Sequence, residues 1–230
     1  MFSESVYQRQ RALLEQAAMT FLREEAQHCD SQGSRPAYLE ASLGMPAEEH
    51  ATPLDTLEPV PVSLTGERRV WLRGRIDRID LVGDGAVKTF AIWDYKTGST
   101  WGYKLGDPFR QGRILQPYLY VTMVTHRLCA AVGPDASATY FGFFFPGAKA
   151  RGERITWTGE TLAPGREILE SLVEIVSSGA FLATNDAGDC TYCNYRGICG
   201  DIPAVVAASQ VKLSHPENQL LIPMRDLRNG

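Results

Sequence analysis

Two apolar segments joined by a glycine-rich turn constrain the fold of this chain more than any other feature. Residues 69–82 and 86–96 are rich in Val, Ile, Leu, Phe and Trp, and Gly83-Asp-Gly85 separates them. A turn of this kind between two strand-like runs is typical of a β-hairpin. We therefore expect the two segments to pair as neighbouring strands of a sheet.

Helix and strand patterns surround this hairpin. We predict helices over residues 3–29, about 115–131 and about 164–178, further strands over residues 37–43, 60–64, 137–145 and 153–158, and loops over residues 30–36, 46–61 and 98–113. This order predicts an α/β fold with a central mixed β-sheet flanked by helices. We expect one core domain over residues 1–185. Residues 186–230 would add a cysteine cluster and a tail with little periodicity.

Composition and charge exclude several classes of protein. The chain has 230 residues, of which 44% are hydrophobic and 22% charged, as in a folded globular protein rather than a disordered one. No apolar run approaches the ~20 residues of a membrane span, and the start lacks the features of a signal peptide. We therefore expect a cytoplasmic protein without a membrane partner. The net charge of −4 gives no overall basic signature for nucleic acid, but it suits an enzyme that gathers carboxylates around metal ions.

Charged residues on the hairpin predict a metal site. Asp94 and Lys96 share one face of a strand, and the turn brings Asp77 alongside them. Two carboxylates and one ammonium group would suit a hard cation such as Mg²⁺, which lowers the pKa of a bound water. The D-x-K spacing alone favours a solvated cross-strand ion pair, because this short pattern is common, but apolar runs precede both aspartates, and unpaired charges on buried strands are costly. Asp80 lies three residues from Asp77 and should face the other way, so Asp77 is preferred.

These residues carry a resemblance to a known family. Gly74-Arg-Ile-Asp-Arg-Ile-Asp80, followed by Trp93-Asp-Tyr-Lys-Thr-Gly98, resembles the PD-(D/E)XK nuclease motif of the RecB-like family. Gln116-Pro-Tyr-Leu-Tyr120 resembles the Q-x-x-x-Y motif of that family. Tyr38-Leu-Glu-Ala-Ser-Leu-Gly44 resembles the segment that supplies an upstream acidic residue. The resemblance covers roughly residues 35–200 and implies a restriction-endonuclease-like core.

The resemblance also implies roles for individual residues. Asp77 and Asp94 match the metal ligands, helped by the backbone carbonyl of Tyr95, and Lys96 matches the catalytic lysine. Glu40 matches a further ligand, although a surface glutamate on an edge strand explains it as well. The implied catalytic set is Glu40, Asp77, Asp94, Lys96, Gln116 and Tyr120, the last two bordering the site and the DNA backbone.

A cysteine cluster near the end of the chain predicts a second metal centre. Cys190, Cys193 and Cys199 form a C-x₂-C-x₅-C pattern, one thiolate short of a zinc site or a four-ligand iron–sulfur cluster. Without an export signal, clustered cysteines more often bind metal than form disulfides. The spacing alone does not distinguish zinc from iron–sulfur. Cys129 is interpreted as a small buried residue.

The cysteine pattern is similar to that of AddB-type helicase–nuclease subunits, in which these three cysteines and one far upstream hold a [4Fe–4S] cluster. Cys29 is the only upstream cysteine here, and its surroundings do not match. The family also has an upstream helix with a histidine near the metal site. No histidine here has a matching context (His28, His50, His126 and His215). We therefore expect the chain to be a fragment of a longer protein, cut just downstream of these elements.

Together these features predict a DNA nuclease that depends on Mg²⁺ or Mn²⁺. The resemblance implies an exonuclease domain of a helicase–nuclease complex in double-strand break repair and recombination, acting on single-stranded DNA ends beside a partner subunit. Two other functions stay open: a catalytically silent nuclease fold for DNA binding or subunit docking, and a zinc-stabilised interaction domain. Candidate phosphate contacts, or simply solvated surface, are Arg73, Arg75, Arg78, Lys104, Arg110 and Arg113.

Overall fold

The computed structural model describes residues 3–48 and 51–229, so His50 lies outside the described residues. The chain forms two compact units. The first extends to Arg110 and includes Ile114–Gly165; the second comprises Gln111–Arg113 and continues from Arg166. The proposed division at residue 185 stays a prediction.

A five-stranded mixed sheet organises the first unit. The strands of the described residues are β1 (Ser34–Leu43), β2 (Val60–Ser63), β3 (Arg69–Leu72), β4 (Gly74–Val82), β5 (Thr89–Tyr95), β6 (Ser137–Phe145) and β7 (Glu153–Thr158). The main sheet has the order β1-β4-β5-β6-β7, in which β5 and β6 are parallel and the other neighbours antiparallel. The predicted hairpin is the β4–β5 pair. The α/β fold with a mixed sheet is therefore confirmed.

Two helices of the first unit cover opposite faces of this sheet. The helices of the described residues are α1 (Glu4–Gln32), α2 (Gln116–Ala131), α3 (Gly159–Leu162), α4 (Gly165–Ser178), α5 (Arg196–Cys199), α6 (Ile202–Ser214) and α7 (Ile222–Asn229). Phe21 of α1 packs against Phe144, and Tyr120 of α2 packs against Phe141, with ring centroids 5.7 and 6.1 Å apart. Residues 141 and 144 of one strand point to opposite sides. The two sides are called the α1 face and the α2 face below.

The core lies along β6, which is buried on both faces. Phe141, Phe143, Phe144 and Phe145 are all fully buried. A strand covered on both sides reads as a continuous apolar run rather than an alternating one. This explains why residues 137–145 gave such a clear strand signal.

The junction between α1 and β1 differs from the predicted loop over residues 30–36. The helix continues to Gln32 and ends at Gly33, whose φ of 57° is left-handed and whose N–H donates to the carbonyl of Cys29. Strand β1 then starts at once, since a single left-handed glycine is enough to end a helix. Pro36 is tolerated because β1 is an edge strand.

Three further expectations need correction. The run 69–82 divides at Arg73, and its first part, β3, pairs with β2 in a separate two-stranded sheet. Cys129 is exposed rather than buried. The tail after Cys199 contains α6 and α7; α6 has small and apolar residues around its whole circumference, so it shows no periodicity. None of the described helices is both long and apolar enough to cross a membrane.

Candidate active site

The β4–β5 hairpin brings Asp77 and Asp94 side by side. The ladder between the strands includes the pair Arg78–Trp93, and the next position places Asp77 opposite Asp94. The backbone N–H of Tyr95 donates to Asp77 Oδ2 at 2.8 Å, which fixes this carboxylate against β5. The two predicted aspartates therefore meet on the α2 face, where strand alternation placed them.

Asp94 is a buried carboxylate held between Gln116 and Lys96. Its side chain is 6% exposed, and Gln116 Nε2 donates to Oδ1 at 2.7 Å. Oδ2 is ion-paired with Lys96, whose Nζ lies 2.5 Å away. Burial raises the pKa of Asp94 above the ordinary value, and the charge of Asp77 adds to this, while Lys96 and Gln116 oppose it. This carboxylate is thus only partly compensated by the protein.

Lys96 is held as a cation beside Asp94. Burial lowers the pKa of Lys96, but contact with Asp94 outweighs burial, so the pKa is raised overall. The Nζ atom also lies 5.1 Å from the ring centroid of Phe143. A lysine that keeps its proton stabilises negative charge rather than accepting a proton.

Helix α2 places the predicted Q-x-x-x-Y residues over the carboxylates. Gln116 and Tyr120 are four residues apart and therefore share one face of the helix. The pKa of Tyr120 is raised, first by burial and then by the charges of Asp94 and Asp77, while Gln116 and Lys96 lower it. Both residues therefore belong to the same polar site as the carboxylates and Lys96.

Glu40 lies at the rim of this site. It is on β1 between the ladder pairs Leu39–Arg78 and Ala41–Ile76, which sets it across from Asp77. Burial and then the charge of Asp77 raise its pKa. Its φ of 52° is rare outside glycine, and such backbone strain is often found at functional sites. It is also exposed on an edge strand, so the ligand and the surface interpretations both remain compatible with its position.

The donor chemistry of this site fits a hard divalent cation. The described residues contain no group of three or more His, Cys, Asp or Glu side chains arranged to hold a metal ion. Mg²⁺ does not need such a group, because it commonly takes one or two carboxylates and keeps several waters. Asp77 and Asp94 supply that number, and Lys96, which is ion-paired with Asp94, is one cation beside two carboxylates.

The opposite face of the same strands carries a second polar cluster that the sequence did not predict. Arg78 binds Asp80 through two contacts, Nε to Oδ1 at 2.5 Å and Nη2 to Oδ2 at 2.6 Å. Arg78 also contacts Glu25 of α1, and Arg154 Nη2 lies 2.6 Å from the other Glu25 oxygen. These four residues are called the α1-face ion cluster. The only local signal was the i, i+2 spacing of Arg78 and Asp80.

The candidate phosphate contacts differ in their exposure and in their ion pairs. Arg78 is 3% exposed inside the α1-face ion cluster, so its prediction as a DNA contact is wrong. Arg75 is paired with Glu48. Arg113 belongs to the second unit, where it is ion-paired with Asp189 at 2.7 Å. Arg73 and Lys104 are exposed and Arg110 is half-buried.

The cysteine cluster lies in the second unit. Cys190 is buried, while Cys193 and Cys199 are exposed, and the backbone N–H of Cys193 donates to the carbonyl of Cys190. Burial, and then the thiols of Cys193 and Cys199, raise the pKa of Cys190. The described His, Cys, Asp and Glu side chains include no group of three that could hold a metal ion, and the cysteine pattern supplies only three of the four ligands of a zinc or iron–sulfur site. Cys29 and Cys129 lie in the first unit.

Comparison with known proteins agrees with this geometry. A region of 110 residues, which is 47% of the chain, is 39% identical to a subunit of an ATP-dependent helicase/deoxyribonuclease from Symbiobacterium thermophilum. That match spans only 8% of the bacterial protein. Residues 2–200 match the model of the PD-(D/E)XK nuclease superfamily. This range includes the strands β1 to β7, helix α2 and every residue of the carboxylate site. The chain belongs to the PD-(D/E)XK nuclease superfamily.

Proposed function

We propose that this chain is a metal-dependent DNA nuclease domain that hydrolyses phosphodiester bonds. The observation that carries the proposal is the pair of facing carboxylates, Asp77 and the buried Asp94, beside a single cation, Lys96. A protein interior tolerates such a group where a cation completes it. Membership of the nuclease superfamily agrees with that assignment.

Each residue of the site has a distinct part in the proposed reaction. Asp77 and Asp94, with the backbone carbonyl of Tyr95 and with Glu40 at the rim, would hold Mg²⁺ or Mn²⁺. When bound, the ion supplies an activated water and polarises a phosphate oxygen. Lys96 stabilises the negative charge that develops on the phosphate. Gln116 orients Asp94 through its hydrogen bond, and Tyr120, one helical turn later, borders the site.

Degradation of end-labelled single-stranded DNA with Mg²⁺ or Mn²⁺ tests the proposal. Asp94→Asn should abolish cleavage while keeping the size and the hydrogen bond to Gln116. Asp84→Asn is the matched control, because Asp84 is an exposed aspartate in the turn of the same hairpin. Cleavage by the control alone would support the site. No metal-dependent cleavage by the folded wild-type chain would instead favour the silent DNA-binding or docking module.

Exonuclease action within a helicase–nuclease is the finer part of the proposal. Its support is the similarity to a bacterial protein whose name joins a helicase and a deoxyribonuclease. Comparing linear with circular single-stranded DNA tests it, because an exonuclease requires an end. Equal cleavage of both forms would contradict exonuclease action, but it would not contradict the proposed nuclease function.

We also propose that Cys190, Cys193 and Cys199 hold three corners of a [4Fe–4S] cluster whose fourth ligand lies elsewhere in the protein. The support is their C-x₂-C-x₅-C spacing. Anaerobic purification followed by iron, sulfide and zinc analysis distinguishes the cluster from a zinc site. Cys193→Ser should lower the bound metal, whereas Cys129→Ser should leave it unchanged.

A further inference from the structure

Trp101, which follows Lys96 by five positions, is the most exposed tryptophan of the chain. Trp101 is 86% exposed, whereas Trp93 and Trp157 are buried and Trp71 is 62% exposed. Leu105, four residues later, is 65% exposed. A large apolar side chain that is almost fully exposed on a fixed backbone can mark a binding surface.

Contacts on the amino-terminal side hold the turn around Trp101. The Thr100 hydroxyl donates to Glu153 at 3.0 Å, and the N–H of Tyr103 donates to the Thr100 carbonyl at 2.8 Å. Gly147 packs so closely that a Cβ there would lie 3.0 Å from the Thr97 carbonyl oxygen. The turn is therefore fixed to the sheet while the indole points away from it.

The carboxyl-terminal side of the turn is fixed as well. Trp157 Nε1 donates to the backbone carbonyl of Leu105 at 2.9 Å. A backbone bridge joins Lys104 to Asp107. Exposure of Trp101 and Leu105 therefore results from ordered backbone rather than from a loose loop.

The turn adjoins the candidate active site through Tyr103. Its ring packs on Phe143 with centroids 4.5 Å apart, and Lys96 Nζ lies 5.1 Å from the centroid of the same ring. Tyr103 also contributes to the electrostatic environment of Lys96. A strand bound at Lys96 thus passes close to the turn that carries Trp101.

Two cations lie on the same segment. Lys104 is exposed, and the Arg110 guanidinium is close to the turn, since a Cβ on Gly102 would lie 3.3 Å from its Nη1. An exposed aromatic ring with neighbouring cations is the arrangement that binds single-stranded nucleic acid, by stacking and by phosphate contact.

We propose that Trp101 stacks against an unpaired base of single-stranded DNA whose backbone enters the carboxylate site, with Lys104 and Arg110 contacting its phosphates. This inference rests on the proposed nuclease function and assigns to Trp101 the contact that would select an unpaired strand. Paired bases in a duplex already stack on one another, so the platform favours single strands. Every base has a π-face, so the preference is independent of sequence.

Binding of a fluorescently labelled dT oligonucleotide, without divalent metal to prevent cleavage, tests the platform by anisotropy. Trp101→Ala should weaken binding about tenfold, and Trp101→Phe should recover most of it. Trp71→Ala is the matched control, because Trp71 is an exposed tryptophan on β3, in the separate two-stranded sheet. Binding of a blunt duplex should change less than about threefold in any variant.

Intrinsic tryptophan fluorescence gives a second readout. The oligonucleotide should quench the wild type and Trp71→Phe, and this quenching should be lost in Trp101→Phe. Equal quenching in the two phenylalanine variants would overturn the platform, as would equal loss of single-stranded and duplex binding in Trp101→Ala. Asp94-dependent cleavage would persist in that case, so failure of the platform is distinguishable from failure of the nuclease.

Discussion

The two faces of the β4–β5 hairpin carry polar clusters that differ in how their charges are balanced. The α1-face ion cluster has two cations and two anions, and none of its side chains is more than 14% exposed. On the α2 face, Asp77 and Asp94 meet one cation, Lys96, whose side chain is 29% exposed. The first cluster is neutral and closed, and the second is anionic and incomplete.

This difference separates a structural from a chemical use of buried charge. Buried ions that fully compensate each other require nothing further from outside. The raised pKa of Asp94 is the sign of a carboxylate whose compensation is partial. Because successive residues of a strand face opposite sides, one seven-residue motif, 74–80, serves both purposes.

Arg78→Met tests the α1-face ion cluster, in which the charges balance. It should have the largest effect on the free energy of unfolding. It leaves the completely buried Asp80 without its cation, while Glu25 keeps its contact with Arg154, so the free energy of unfolding should fall by about 3–5 kcal/mol. Urea denaturation followed by tryptophan fluorescence measures this. Arg75→Met is the control on the same strand, because its pair with the mostly exposed Glu48 should contribute about 1 kcal/mol or less. Similar losses in the two variants would contradict a structural role for the cluster.

Lys96→Met tests the carboxylate site on the α2 face, where two carboxylates meet one cation. Removing the cation that stabilises the developing charge should lower the cleavage rate about 100- to 1000-fold. Folding should be affected less than by Arg78→Met, because Asp94 can take up a proton. Single-turnover cleavage and urea denaturation of the same preparation measure both effects. Lys88→Met, at an exposed lysine beside the hairpin turn, should match the wild type in both; a variant of Lys96 with normal cleavage would exclude its catalytic role.

Glu40→Gln tests whether Glu40, at the rim of the α2-face site, belongs to the metal site. If Glu40 helps to hold the ion, directly or through water, the Mg²⁺ concentration for half-maximal cleavage should rise about tenfold. The maximal rate should change much less. Glu67→Gln, in the exposed turn between β2 and β3, provides the control. An unchanged Mg²⁺ requirement would identify Glu40 as a surface residue of an edge strand.

The pH dependence of stability should show the smallest effect. Asp94 has a raised pKa when folded, so the native chain binds more protons than the unfolded chain between its ordinary and its raised value. Stability of the metal-free protein should therefore fall as the pH rises through this window. Asp94→Asn should lack this component and be more stable at neutral pH by about 1 kcal/mol or less.

Urea denaturation in a chelator, at several values from about pH 4 to about pH 8, measures this component. Asp84→Asn serves as the control because Asp84 is exposed in the turn. Parallel pH profiles of the wild type and Asp94→Asn would show that the protein itself compensates Asp94 fully.

Local patterns predicted most of the fold and much of the candidate site. The hairpin, α2 and the strands 137–145 and 153–158 follow from apolar runs and turn residues, and all are present. The end of α1 was placed too early, because Gly33 rather than the polar residues before it ends the helix. Helix α6 was missed because its apolar residues have no preferred side. Both errors concern segments whose local signal was weak or ambiguous.

The sequence by itself determined which side chains share a face. Alternation along β4 and β5 groups Asp77, Asp94 and Lys96, and helical spacing groups Gln116 with Tyr120. These relations depend only on backbone geometry between near neighbours. Only the tertiary structure decided which charges are compensated, since Glu25 and Arg154 reach the Arg78 cluster from distant parts of the chain. Compensation depends on packing between distant segments, and no local period records it.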